Sequence, residues 1–224
     1  MTNTDVKQIS IRFLPDGFSF AGTFCPVAPG ADYEKRLESA LFDAGLNELA
    51  SSDVEVVCSA ETQRFVLSSA DENTEQEAEQ MYGVSLTDAD SEEVLVHQSD
   101  AAGRLRITFG IDAELYHFMH RNLNEVTFVH PLMHLHEEWS GRVDADACCM
   151  IAQYEGSVLN LLVYKSASLY MANRFICTSS DNALYFVMNA WKQCALDVID
   201  DKICIVTESE ELRQNLGKYI KQCE

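Results

Sequence analysis

Histidine is the residue whose distribution along this chain most clearly suggests chemistry. Five of the six histidines lie in one stretch that runs from His117 to His136. His117 and His120 are three residues apart on a predicted helix, so both can face the same side. Neutral imidazoles suit zinc, copper or nickel. The candidate metal ligands are therefore His117, His120, His130 and His134, with zinc as the candidate ion.

An alternative gives these histidines structural roles. His134 and His136 point to different faces of a helix because they are two residues apart. The His-Glu-x-x-His pattern of zinc hydrolases does not occur either. In this interpretation His130 ends a strand, His134 packs beside an apolar face, and the others are solvated or hydrogen-bonded. The chain also lacks Cys-x-x-Cys and Gly-x-Ser-x-Gly, so neither a zinc ribbon nor a serine hydrolase is indicated.

The charge of the chain limits the classes of partner. Its 224 residues include 16 Lys and Arg against 36 Asp and Glu, which gives a formal net charge of −20 at pH 7. The field of such an acidic protein repels phosphate backbones and anionic lipids, so neither a nucleic-acid nor a membrane partner is expected. No apolar run approaches the roughly 20 residues that span a bilayer. Several of the eight cysteines lie in apolar runs, which is typical of free thiols, and a cytoplasmic location is predicted.

The elements that would position these residues begin with a hairpin. Ile9, Ile11 and Phe13 alternate with polar residues, and the alternation resumes at Phe18. Between them, Pro15-Asp16-Gly17 supplies the residues of a tight turn. Further along, predicted strands and helices alternate. This alternation indicates βα units on a largely parallel sheet, and so an α/β fold.

A second cycle of the same order begins after a polar stretch at Gly141 to Asp146. We therefore predict an N-terminal lobe of residues 1–143, with inserted strands and a helix, and a C-terminal lobe of residues 144–224. In the second lobe, a turn at Tyr154-Glu155-Gly156-Ser157 joins the first two strands. The sequence ends soon after the last predicted helix, so we expect this lobe to lack its final strand.

The tandem order of three strands, helix, strand and helix resembles the ribonuclease H-like unit (βββαβα) as duplicated in the actin-like ATPase superfamily. The chain also resembles, over nearly its whole length, a bacterial family of unknown function with an actin-like ATPase fold. The resemblance implies two tandem ribonuclease H-like units and no particular activity. The segments that carry it are Ile9 to Ile11 with Asp16 to Phe20, Phe128 to His130, Leu169 to Phe175, and Asp181 to Val187.

The same resemblance implies a candidate nucleotide site. In nucleotide-hydrolysing members of the superfamily each hairpin carries a phosphate loop, with an acidic residue for magnesium and small residues beside the phosphates. Asp16 and Gly17 in the first turn, and Gly156 and Ser157 in the second, are the matching candidates, and Mg-ATP is the implied ligand. The second turn lacks the expected Asp and Gly-Gly-Thr. The carboxylates of residues 208–211 stand where glycines would face adenosine, so the architecture is degenerate.

Three functional hypotheses follow. The preferred one is a non-hydrolysing protein-interaction or scaffold module whose partner is another protein or a second copy of the chain. It is preferred because most parts that phosphoryl transfer needs are missing, and no catalytic residue is assigned. The alternatives are an ATPase or switch with Mg-ATP between the lobes, and a histidine-rich metal-binding protein. The aromatic and methionine candidates for a recognition surface are Tyr164, Tyr170, Met171, Tyr185 and Phe186.

Overall fold

The structure is a computed structural model that describes residues 7–14, 17–20, 23–27, 33–43, 45, 54–60, 64–70, 74–84, 93–123, 125–144 and 147–224. Asp16, the acidic candidate in the first turn, lies outside the described residues. The chain divides into two compact units, Met1–Met133 and His134–Glu224. The lobe boundary at residue 143 stays a prediction.

The described elements follow the predicted alternation of strands and helices. The first unit contains β1 (Lys7–Leu14), β2 (Gly17–Phe20), β3 (Thr23–Pro26), α1 (Tyr33–Asp43), β4 (Val54–Ala60), β5 (Phe65–Ser69), α2 (Glu75–Val84), β6 (Glu93–Ser99), β7 (Leu105–Asp112), α3 (Ala113–Asn122) and β8 (Glu125–Val129). Helix α4 (Pro131–Trp139) crosses the boundary between the units. The second unit contains β9 (Cys148–Glu155), β10 (Val158–Lys165), β11 (Ser168–Ile176), α5 (Ser180–Gln193), β12 (Lys202–Thr207), α6 (Glu210–Leu216) and β13 (Gln222–Cys223).

Each unit has a five-stranded sheet, and the two sheets share one topology. Their strand orders are β3-β2-β1-β4-β8 and β11-β10-β9-β12-β13. Strands β1, β2 and β3 pair in antiparallel fashion, as do β9, β10 and β11. Strands β1, β4 and β8 are parallel to one another, as are β9, β12 and β13. This repetition confirms the predicted duplicated α/β fold. The expectation that the second unit lacks its final strand is wrong, because β13 pairs with β12. Strand β13 has two residues, too few for alternation to reveal it.

The predicted insertion of the first unit is a three-stranded antiparallel sheet in the order β5-β7-β6. The apolar side of α2 is buried through Ala78 and Tyr82. The Tyr82 hydroxyl donates to Glu93 Oε2 over 2.8 Å, and Arg64 forms an ion pair with the same carboxylate. Burial and this hydrogen bond raise the pKa of Tyr82 to about 12. Strand β6, which carries Glu93, was not predicted from the sequence.

The core of the second unit lies between one face of its sheet and helices α5 and α6. Every residue of β10 except Lys165 is buried, and this strand lies between β9 and β11 inside the sheet. None of the helices in the described ranges is both long enough and apolar enough to cross a membrane. The buried cluster includes Met150, Ala152, Leu159, Leu161, Val163, Val187, Trp191, Ile203, Ile205, Leu212 and Leu216.

The helix boundaries follow local capping chemistry. Asp112 is the N-cap of α3, because its Oδ1 accepts the Leu115 N–H over 3.0 Å. The N-cap of α5 is Ser179, whose Oγ accepts the Asn182 N–H over 3.2 Å. Ser180 and Asp181, which follow directly, are residues of the same capping type. A serine or an aspartate can fill this role, and three such residues follow one another here, so the sequence alone does not decide which one does.

The hairpin between β10 and β11 provides a test of backbone strain. Its two loop residues, Ser166 (φ 49°) and Ala167 (φ 56°), are both in the left-handed region. Type I′ turns need this geometry and favour Asn-Gly. We expect Ser166→Asn with Ala167→Gly to stabilise the protein by about 1 kcal/mol and raise its thermal midpoint by roughly 2 to 4 °C. Thermal denaturation followed by circular dichroism measures the change.

The matched control is Ala102→Gly, in an exposed turn where the residue has no positive φ. This substitution adds the flexibility of glycine without relieving strain, so it should not raise the midpoint. An equal gain from both variants would contradict the proposed relief of strain in the hairpin.

Candidate functional site

A surface pocket of about 460 Å³ lies at the carboxyl ends of β9 and β12. These strands are parallel and end together, with Thr207 paired to Tyr154. Residues 153–156 and 206–209 line the pocket. Ligands of open α/β sheets bind at such carboxyl ends. The pocket therefore occupies the part of the second unit where the resemblance implies a nucleotide.

The charged residues that line this pocket disfavour the binding of a phosphate group. Its lining includes the exposed carboxylates Glu155 and Glu208, and no Lys or Arg is found among its described lining residues. The nearby Arg213 donates instead to the carbonyl oxygens of Ile205 and Thr207, over 3.4 and 3.3 Å. An anionic ligand would thus meet the negative charges of Glu155 and Glu208.

Gly156 and Ser157 form the two-residue loop between β9 and β10, because Glu155 pairs with Val158. Gly156 has a φ of 59°, and a Cβ added there would meet no atom within 4 Å. A positive φ at the first loop residue is the requirement of a type II′ turn. The Ser157 carbonyl oxygen accepts the Cys177 N–H over 2.7 Å. Both residues thus serve the hairpin, and their role in nucleotide binding stays a prediction.

Gly17 is required by a close approach between strands. It is buried and pairs with Pro26 of β3. A Cβ added at Gly17 would lie 2.3 Å from the Cys25 carbonyl oxygen, a distance that no real contact allows. Packing against β3 is therefore sufficient to explain this glycine. Its predicted role in a phosphate loop is not tested by the structure.

The four histidines that were candidate metal ligands lie in different environments. His117, His120 and His134 are exposed, and the first two contact the Tyr116 ring at centroid distances of 5.6 and 4.4 Å. His130 is fully buried between the rings of two phenylalanines, Phe65 and Phe109. Its Nδ1 accepts the Leu132 N–H over 3.2 Å, which places it at the start of α4 as an N-terminal partner of that helix.

Within the described ranges, the one group of three potential metal ligands that comes together involves the remaining histidine. His97 Nε2 lies 3.2 Å from Glu79 Oε1 and 3.6 Å from Glu75 Oε1. Arg106 lies 3.4 Å from the second oxygen of Glu75 and supplies a cation there. Thr108 holds His97 Nδ1 at 2.9 Å. These contacts link α2 to the three-stranded sheet of β5, β7 and β6. No sequence pattern indicated that these residues meet, because the helix and the two strands that carry them are separate elements.

Two of the five candidates for a recognition surface are exposed. Tyr170 on β11 and Tyr185 on α5 are 59% and 63% exposed. Tyr164 is fully buried, and its hydroxyl lies 2.9 Å from His136 Nδ1. Burial raises the pKa of Tyr164. The other two candidates are partly buried, and they are Met171 and Phe186.

The duplicated sheet and the pocket at its strand ends define a protein with the actin-like ATPase fold. A crystal structure from Bacteroides thetaiotaomicron, described as a protein with actin-like ATPase fold and unknown function, is similar to this chain with a TM-score of 0.81. The two are 21% identical, and the match covers 96% of this chain and 88% of the other. A PilM-PilN type IV pilus biogenesis complex matches with a TM-score of 0.52 and 8% identity, covering 95% and 82%.

The chain belongs to the DUF3822 family, proteins of unknown function, which it matches over residues 28–223. This membership and the structural similarity confirm the resemblance that the sequence motifs indicated. No curated protein matches the chain in sequence. Because the identities with solved structures are low, those similarities establish the fold alone.

Glycine substitutions test whether the two hairpin turns are structural. We expect Gly17→Ala to destabilise the protein by about 2 kcal/mol, because the added Cβ would overlap the Cys25 carbonyl. Gly156→Ala should cost about 1 kcal/mol, because only its left-handed backbone is strained. Urea denaturation measures both costs. The control Gly83→Ala, where a Cβ meets nothing within 4 Å, should carry no penalty. Unchanged stability of both hairpin variants would contradict this structural account.

Proposed function

We propose that this chain is a non-hydrolysing protein-interaction module built on the actin-like ATPase fold. The observation that carries the proposal is the acidic lining of the pocket at the ends of β9 and β12. Phosphoryl transfer depends on cations and on precise positioning of the phosphates. The carboxylates of Glu155 and Glu208 repel phosphates, so they oppose both the neutralisation of phosphate charge and the positioning of the phosphates. The fold then serves as a rigid platform, and binding takes place elsewhere on the second sheet.

The edge strand β11 supports a specific mode of binding. It pairs with β10 on one side, and in the described part of the chain no strand pairs with its other side. The outer edge of such a strand presents backbone N–H and C=O groups that can hydrogen-bond to an added strand. Tyr170 and Ile176 of β11 are 59% and 46% exposed and provide apolar contact area. An extended protein segment added to β11 hydrogen-bonds to this backbone edge and packs against Tyr170 and Ile176.

The charge of the chain favours a basic partner segment. A second copy would carry the same formal charge of −20, so long-range repulsion works against self-association. A segment rich in Lys or Arg would be attracted to the same field. The similarity to a structure that is itself a complex, PilM-PilN, is consistent with protein binding on this fold. The eight free cysteines fit a reducing compartment, and we include a cytoplasmic location in the proposal.

Thermal unfolding with millimolar Mg-ATP tests whether the acidic pocket excludes a nucleotide, on which the non-hydrolysing proposal rests. We expect a midpoint shift smaller than about 1 °C, whereas ligand at a hundredfold above its Kd would add about 2.7 kcal/mol and roughly 5 to 10 °C. The companion variant replaces Glu155 and Glu208 by Lys. A shift that appears only in this variant would identify the carboxylates as the barrier to phosphate. A large shift in the unmodified chain would refute the proposal and restore the nucleotide switch.

Site-specific crosslinking tests binding at β11. A photoreactive phenylalanine analogue at Tyr170 should capture a protein in cells, and the same analogue at Tyr219, which is 56% exposed, is the matched control. The captured protein is then purified and its affinity measured. We expect Tyr170→Lys to weaken binding at least tenfold and Tyr219→Lys to leave it unchanged.

Hydrogen exchange separates strand addition from other contacts. Binding of the captured segment should slow exchange of β11 amides, because the added strand accepts hydrogen bonds from the outer edge. Protection elsewhere with unchanged β11 amides would rule out this mode. A salt-resistant dimer that Tyr170→Lys dissociates would show that the occupant is a second copy of the chain.

A further inference from the structure

Aromatic side chains flank the outer edge of β11 on the side of helix α5. The rings of Phe175 on β11 and Phe186 on α5 stack with centroids 4.2 Å apart and an interplanar angle of 11°. The Tyr185 ring meets Phe186 edge-on at 5.5 Å and is 63% exposed. Both phenylalanines are partly buried and also pack against the core. These three residues form an aromatic surface beside the outer backbone edge, and its inner side is anchored in the core.

A β-bulge places Tyr170 at the other end of the same side. The register between β10 and β11 shifts after Val163 and Met171, and Tyr170 is the extra residue of the bulged strand. Bulges of this kind redirect a side chain. Lys165 Nζ lies 4.0 Å from the centre of the Tyr170 ring and donates to the Cys194 carbonyl oxygen, at the end of α5, over 2.6 Å. Tyr170 therefore lies on the α5 side of the strand, where the Lys165 ammonium holds its ring.

The spacing of these aromatic anchors matches the side-chain period of a strand. Tyr170 and Phe175 are four positions apart once the extra residue of the bulge is discounted, which is about 13 Å along a strand. Residues i, i+2 and i+4 of an added strand face one side and cover the same distance. Strand addition gains its specificity from such alternate side chains. A segment with apolar residues at alternate positions therefore covers Tyr170 and the aromatic surface together.

The acidic pocket lies at the end of the sheet where β11 ends. Ile176 pairs with Val158, and Val158 pairs with Glu155 on the next strand. Two strand spacings therefore separate the backbones of Ile176 and Glu155, which is about 10 Å. An extended chain covers that distance in about three residues. A basic residue that follows the added strand at this interval thus reaches the pocket that Glu155 and Glu208 line.

The charges on α5 have the same polarity along the strand. Asp181 lies in the first turn of the helix, which follows the Ile176 end of β11, and Lys192 lies in the last turn, next to the residue that Lys165 contacts. A basic side chain is attracted to the first end and repelled from the second. The surface therefore distinguishes the two ends of a charged segment.

We infer that the partner segment of β11 has apolar residues at alternate positions and Lys or Arg about three residues beyond the end that lies at Ile176. The apolar side chains pack on Tyr170 and the aromatic surface, and the basic side chains bind the carboxylates of Glu155 and Glu208. This inference rests on the strand addition proposed for β11. It adds the sequence class of the segment and a role for the acidic pocket in holding the basic end.

Selection of phage-displayed random peptides on the purified chain tests the inference. We expect the enriched sequences to carry apolar residues at alternate positions, with Lys or Arg about three residues beyond them. The strongest of these peptides is then synthesised as the probe, and its Kd is measured by fluorescence anisotropy. Enrichment of sequences without this pattern would overturn the inference.

A variant of the aromatic surface tests the apolar contacts. Tyr185→Ala should weaken binding of the probe peptide about tenfold, because an exposed aromatic anchor is lost. Tyr219→Ala is the matched control, since Tyr219 is 56% exposed and belongs to neither β11 nor α5. Its Kd should equal that of the unmodified chain.

Neutral variants of the pocket test the charge contacts. Glu155→Gln with Glu208→Gln should weaken binding about tenfold and flatten the salt dependence of the Kd, because two attractive charges are removed. The control, Glu125→Gln with Glu137→Gln, removes the same charge from two other exposed positions. It should leave both the Kd and its salt dependence close to those of the unmodified chain.

Hydrogen exchange of the bound chain separates this inference from the proposal on which it rests. Slower exchange of β11 amides, with weaker binding by the Tyr185 and pocket variants, is the expected result. If the β11 amides are protected while these variants bind as tightly as the unmodified chain, strand addition stands and the inferred sequence class is wrong. If the β11 amides stay unprotected, or no peptide is enriched, the strand addition itself is refuted.

Discussion

Parallel pairing of the first and fourth strands is the interaction on which each unit depends. In the second unit, β9 and β12 are joined through β10, β11 and α5, and their pairing closes that long connection. Once the pair forms, the strands end together and leave a pocket at their carboxyl ends. The same pairing gives the sheet two faces, with a helix-covered core on one side and the thiols of Cys149 and Cys204 on the other. The pocket and the contact between Cys149 and Cys204 are thus consequences of one register.

The packing of the second unit does not depend on the carboxylates that line the pocket at its strand ends. The core of the second unit comes from apolar side chains of the sheet and from α5 and α6, and of the pocket-lining residues Tyr154 packs against it. Carboxylates such as Glu155 and Glu208 can occupy the strand ends because they are exposed there and disturb no packing. The fold of the second unit is therefore compatible with acidic strand ends, and this compatibility supports the proposal of an interaction module.

Local features were predicted well because local forces decide them. Alternating apolar residues marked most strands, and the Asp112 cap followed from a side chain that bonds a backbone amide three residues away. The unpredicted β6 follows a stretch rich in acidic residues, and its side chains are only partly buried, so its alternation is weak. The histidines that cluster in sequence lie in different environments. His130 packs against aromatic rings whereas His117 and His120 are exposed on α3.

The sequence by itself determined the duplicated order of strands and helices apart from β6 and β13, the strong negative charge and the hairpin turns, because each depends on residue type and short spacing. Tertiary structure alone decided which distant side chains meet. Cys149 and Cys204 are 55 residues apart, and His97 meets Glu79 across 18 residues. Such contacts depend on strand register, and a shift of one residue would turn every side chain of a strand to the opposite face. Composition and periodicity do not specify that register, because the packing of the whole sheet fixes it.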